Sequence, residues 1–154
     1  MKTMVDPAEL RVHATSVAIA GRAVLLMGPS GSGKSDLALR LIDRGAALVS
    51  DDYTALRLSG SALIASAPET IAGMLEVRHI GIVQLDRAMN VPVALVVRLG
   101  DRPERMPDDV PLIDLLGVAL PCVALAGLEP SAPIKVEYAL ARHGQPHDGQ
   151  ERAP

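Results

Sequence analysis

The run Gly28-Pro29-Ser30-Gly31-Ser32-Gly33-Lys34-Ser35 constrains this chain more than any other feature of its sequence. A glycine, four residues and then Gly-Lys-Ser is the pattern of a P-loop (Walker A), and here an apolar stretch at 23–27 precedes it. After it, Leu37, Ala38, Leu41 and Ile42 recur at the spacing of one helical face. Glycines let successive backbone amides turn inward around phosphate oxygens, and the helix start adds its positive dipole end. All eight residues are therefore expected to bind a nucleoside triphosphate such as ATP, with Lys34 on the β- and γ-phosphates and the Ser35 hydroxyl on Mg2+. The bland alternative, a glycine turn that merely caps a helix, fits the intact motif and its flanks poorly.

The surrounding pattern predicts an α/β domain with the P-loop-containing kinase fold, a mixed β-sheet with flanking helices. Strands are expected at 16–19 and 23–27 about Ala20-Gly21-Arg22, at 46–49, as a hairpin at 54–58 and 62–66, and at 91–98, where Pro92 near the start is tolerable. Gly45 suits a left-handed stop to the helix. Residues 100–111, rich in Asp, Arg and Pro, read as an exposed connection, and 122–125 and 134–140 as the last ordered elements. The 154 residues suffice for one packed domain at 1–143, with 144–154 a polar, disordered tail.

Composition narrows the partners. The chain has no Phe or Trp and two tyrosines, Tyr53 and Tyr138, which leaves few platforms for stacking the bases of single-stranded nucleic acid. A net charge of −3 gives no overall attraction to DNA, RNA or anionic lipid. One cysteine, Cys122, excludes an internal disulfide and suits the core better than nucleophilic work. Residues 1–10 carry Asp6, Pro7 and Glu9 where a signal segment needs unbroken apolar sequence, and no apolar run reaches membrane-spanning length. A cytoplasmic protein without membrane or nucleic-acid partners is the expectation.

Five further positions carry candidate chemistry. Asp51 and Asp52 follow the strand after the P-loop helix, where a sheet delivers them toward the phosphates; one is placed to ligate magnesium or to accept a proton, although Asp-Asp also starts ordinary turns. Glu76 and Arg78 read either as an exposed ion pair or as a metal-contacting carboxylate and a clamp on the transferring phosphate. His13, before the first hairpin, would not be singled out by spacing alone.

Taken in order, His13, the P-loop with its trailing Asp36, Leu48-Val49-Ser50-Asp51-Asp52 and Leu75-Glu76-Val77-Arg78-His79-Ile80-Gly81-Ile82 resemble the catalytic domain of HPr kinase/phosphorylase over roughly 13–140. That family phosphorylates a serine of the small phosphocarrier protein HPr. The resemblance implies that Asp51 is the proton acceptor, with His13 assisting, Lys34 on the phosphates, Arg78 catalytic, and Ser35 and Glu76 on magnesium. It also implies a cytoplasmic homo-oligomer, commonly a hexamer, and the compact form that consists of the catalytic domain alone.

The chain departs from the family at Ala14 and His79, where glycine is usual, and at 126–133, where the family's late arginine-bearing loop contains no arginine. The kinase direction is the half these residues support, and phosphorolysis of phosphorylated HPr stays open. A P-loop kinase for a small metabolite and a non-catalytic nucleotide sensor are the competing readings.

Overall fold

The computed structural model describes residues 9–146. In chain order its elements are β1 (Glu9–Val12), β2 (Thr15–Ile19), β3 (Arg22–Met27), α1 (Lys34–Asp43), β4 (Ala47–Ser50), β5 (Thr54–Ser59) and β6 (Ala62–Ser66). A 3-10 turn at Glu69–Ile71 leads to β7 (Met74–Val77), β8 (Gly81–Gln84), β9 (Val91–Leu99), β10 (Leu112–Leu115), β11 (Val118–Leu125) and α2 (Ala132–His143). The main sheet runs β1-β5-β6-β9-β3-β2-β4, with β11 also paired to β9 and β10 to β11. The expected mixed α/β architecture is what forms.

Local chemistry explains the first hairpin. Ala20 and Gly21 both take positive φ, 51° and 82°, as a two-residue connection with the right twist requires. β3 pairs in parallel with β9, which pairs in parallel with β11, whereas β2 lies antiparallel between β3 and β4. β4 therefore points the same way as β3 with one reversed strand between them, and both strands end on the edge where α1 begins.

β9 organises the interior. Its first residues pair with β6 and its last with β11, while its other edge follows β3. A register shift between Ala23 and Val24 skips Ala94, whose carbonyl accepts the Gln145 amide at 2.8 Å. On one face, Val24, Leu26, Leu95 and Val97 pack with Leu37 and Leu41 of α1 and Val136 and Leu140 of α2. On the other, Ala23, Leu25 and Val96 meet Leu56, Leu63 and Leu120 from the curled ends of the sheet. Each fully buried leucine contributes roughly 1.5–3 kcal/mol, so α1 is held by its apolar stripe rather than by a side-chain cap, which it lacks.

Four strands went unread in the sequence: β1, β10 and the two of the separate β7–β8 hairpin. β1 and β8 are largely exposed, and in β7 Leu75 alone is buried, so no alternation marks them. Residues 100–111 run exposed, as expected. The proposed tail begins inside the described residues, where Gln145 also donates to the Ala119 carbonyl at 3.0 Å and accepts from Arg22 at 3.2 Å; residues 147–154 lie outside them.

Candidate active site

The loop at 28–35 leaves the end of β3 and enters α1 through Gly28 and Gly33, where a side chain would be crowded. A Cβ on Gly28, at φ 154°, would stand 2.5 Å from the Leu99 carbonyl oxygen; one on Gly33, at φ 96°, would stand 2.6 Å from Leu128 Cδ2. The first helical hydrogen bond runs from the Leu37 amide to the Gly33 carbonyl at 2.8 Å, so the amides of Lys34, Ser35 and Asp36 precede it and have no intrahelical acceptor. The Lys34 side chain, buried, folds back across the loop and donates to the Gly28 and Pro29 carbonyls at 2.7 and 3.1 Å. An ammonium held only by carbonyl oxygens keeps its positive charge available to an anion.

The two aspartates at the end of β4 have different surroundings. Asp51 is buried, and its carboxylate accepts from the Thr15 hydroxyl (3.1 Å), the Ser35 hydroxyl (2.6 Å) and the Glu76 amide (3.0 Å). It thereby ties together β2, the first turn of α1 and β7. Asp52, at φ 69°, turns the other way: its amide donates to Thr15 Oγ1 at 3.1 Å and its exposed carboxylate meets His13 Nε2 at 2.9 Å. The His13 ring lies 5.1 Å from that of Tyr53. His13 was expected beside Asp51; its hydrogen bond goes to Asp52.

Hydroxyls behind the turn hold it in place. Thr54 donates to the Ala14 carbonyl at 2.9 Å, which leaves Ser16 as the donor in the 2.8 Å contact between their side chains. Ser50 donates to the Tyr53 carbonyl. Sequence reasoning missed Thr15, the residue that touches both aspartates, because a threonine opening a strand looks like any other.

These groups surround a cavity of about 650 Å³, within the range of small-molecule sites. His13, Ser30, Gly31, Gly33, Lys34 and Ser35 line it together with Asp52, Glu76, Arg78 and His79, while Asp51 lies behind its wall. Gly28, Pro29 and Ser32 form the back of the loop, and the buried Ser32 hydroxyl has no partner. Glu76 and Arg78 are exposed on β7 and the turn after it. Leu39 and Leu128 also face the cavity and were not anticipated.

Among the described residues no group of three or more His, Cys, Asp or Glu side chains is arranged to hold a metal. Magnesium ordinarily takes one or two carboxylates and completes its shell with phosphate and water, so the Ser35 hydroxyl and the exposed Glu76 carboxylate on the cavity lining, with Asp51 behind Ser35, fit it. No helix among the described residues is long and apolar enough to cross a membrane.

Comparison with known proteins identifies the family. The family described as HPr Serine kinase C-terminal domain matches residues 7–125. The HPr kinase/phosphorylase of Clostridium botulinum (strain Eklund 17B / Type B) is 47% identical over 77 residues, 50% of this chain and 25% of that protein. That of Caldicellulosiruptor bescii is 35% identical over 126 residues, 73% of this chain and 40% of its own length. Among solved structures, the Hpr(Ser) kinase/phosphatase from Coxiella burnetii superposes with a TM-score of 0.76 at 30% identity, covering 87% of this chain and 90% of that one. The chain thus spans between a quarter and two fifths of the length of these two curated relatives.

Proposed function

The chain belongs to the HPr serine kinase C-terminal domain family, and from that premise we propose that it transfers the γ-phosphoryl group of ATP to a serine of HPr or an HPr-like carrier protein, with magnesium. The reading makes loop 28–35 a P-loop and the whole a P-loop kinase fold. The observation that carries it is the placement, around one cavity, of the Asp52–His13 pair, the Lys34 ammonium and the Ser35 hydroxyl held by Asp51.

Each group has a part. The loop amides and Lys34 take the phosphate oxygens, with Lys34 exchanging its carbonyl partners for them. Ser35 and Glu76 would hold magnesium, with Asp51 orienting Ser35 through the 2.6 Å bond. Bound there, the ion supplies charge neutralisation between phosphate groups. Arg78, also on the cavity lining, would clamp the transferring phosphoryl group.

We assign proton acceptance to Asp52 rather than to Asp51. A general base must reach the proton it takes. Asp51 is buried and already accepts three hydrogen bonds, whereas Asp52 is exposed on the cavity and steadied by His13. The serine oxygen attacks the γ-phosphorus, the bond from that phosphorus to the ADP oxygen breaks, and the serine proton passes to Asp52. The reverse reaction has less support: loop 126–133 contains no arginine, and Arg40, which reaches it, spends its donors on the Gly127 and Glu129 carbonyls and on Asp36.

Incubating the chain with ATP, magnesium and HPr should yield phosphoserine on HPr. Folded protein that binds ATP but transfers nothing to HPr would sink the proposal, and transfer to a metabolite instead would redirect it.

A further inference from the structure

We infer that Leu128, with the arginine clamp that holds its loop, is the platform on which the cavity receives the nucleobase of a nucleoside triphosphate; this rests on the nucleotide reading of loop 28–35. A single exposed leucine is ordinary surface. Leu128, 68% exposed, differs in lying against Gly33 of the glycine loop, between two residues whose carbonyls Arg40 holds.

Its loop is built from three directions. The Arg40 guanidinium donates to the Gly127 carbonyl, to the Glu129 carbonyl at 2.9 Å and to Asp36 at 3.0 Å, so α1 itself carries the clamp. Lys135 reaches Glu129 at 2.9 Å from α2. Gly127 lies so close that a Cβ there would stand 2.9 Å from Leu99 Cδ1 and 3.1 Å from the Ser32 carbonyl oxygen, and Leu128 occupies the space a Cβ on Gly33 would need. An apolar ledge is thereby joined to the phosphate cradle with no room between them.

Chemistry along the cavity then sorts the ligand. His13, Asp52, Glu76 and Arg78 supply charge, which suits phosphate and an acceptor hydroxyl. Leu128, beside Gly33 on the cavity lining, offers an apolar surface to the face of a base. Neither tyrosine is on the cavity lining: Tyr53 sits against His13, and Tyr138 stands 71% exposed on α2. The Gly127 and Glu129 carbonyls, which would read a base edge, are already taken by Arg40. Arg40 and Asp36 are accordingly positioning residues, acting through Leu128.

The test compares two ligands that share the phosphate cradle and differ in the base. Calorimetry with the full chain and magnesium should show ATP binding more tightly than inorganic tripolyphosphate. Leu128→Ser should weaken ATP roughly tenfold and leave tripolyphosphate unchanged, as loss of apolar contact implies. Leu128→Met should restore most of the ATP affinity, and Arg40→Met should weaken ATP selectively by releasing the ledge. Unchanged ATP affinity in Leu128→Ser, or equal weakening of both ligands, overturns the platform while leaving the cradle intact. Failure of the parent chain to bind either ligand overturns the cradle and the platform together.

Discussion

Thr15 uses one hydroxyl twice, donating to the Asp51 carboxylate and accepting from the Asp52 amide, so a single side chain joins the two aspartates. Thr15→Val keeps the shape and removes both bonds in a buried place, which should cost about 1–3 kcal/mol in urea unfolding and depress transfer, with Thr15→Ser restoring both. Asp52→Asn should retain ATP binding and lose transfer by about 10²–10⁴-fold, the usual worth of a positioned base. Asp51→Asn should instead weaken the magnesium-dependent part of ATP binding, because Ser35 loses its charged acceptor. Full transfer by Asp52→Asn, measured beside Asp51→Asn, would return the base role to Asp51. Elsewhere, burial raises the Cys122 thiol above its ordinary pKa, so at pH 8 less thiolate forms, and iodoacetamide should react more slowly with native than with unfolded chain.

At the scale of elements, legibility followed burial. α1, β3 and β9 were readable because each shows a buried face or run of buried residues, and the Gly45 stop was readable because φ 111° there favours glycine. The aspartate pair was visible as a pair, but the different surroundings of its two members were not, since those depend on Thr15 at the start of β2 and His13 just before it. The β7–β8 hairpin carries Glu76 and Arg78 yet shows no periodicity, because it leans on the domain through Leu75 and leaves its other face open. At its turn, His79 holds φ 73°, a left-handed conformation that costs a histidine about 1 kcal/mol relative to glycine. His79→Gly should therefore raise the urea midpoint, with a gain of up to about 1 kcal/mol offset in part by glycine's unfolded-state entropy. A lowered midpoint would mean that the imidazole makes contacts worth more than the strain.

For the whole molecule, the open face of that same hairpin is the feature a lone subunit does not explain. Its register places Met74 opposite Gln84 and Glu76 opposite Ile82, so Met74 and Ile82 share the outward face with Glu76. Met74, Ile80 and Ile82 are 39%, 77% and 70% exposed, an apolar group next to the cavity wall. Large exposed apolar groups of this kind mark surfaces that another chain covers. The homo-oligomer implied by the family resemblance would supply such a chain, and we propose that copies of this domain meet through the hairpin. Light scattering after size exclusion should then give a mass above that of one chain, and Ile82→Asp should shift it to the monomer without disturbing ATP binding, because Ile82 lies outside the cavity lining. A monomeric parent protein would remove the oligomer. A parent oligomer that survives Ile82→Asp would move its interface away from the hairpin and leave that face to the carrier protein, in which case the same variant should raise the KM for HPr and leave the KM for ATP in place.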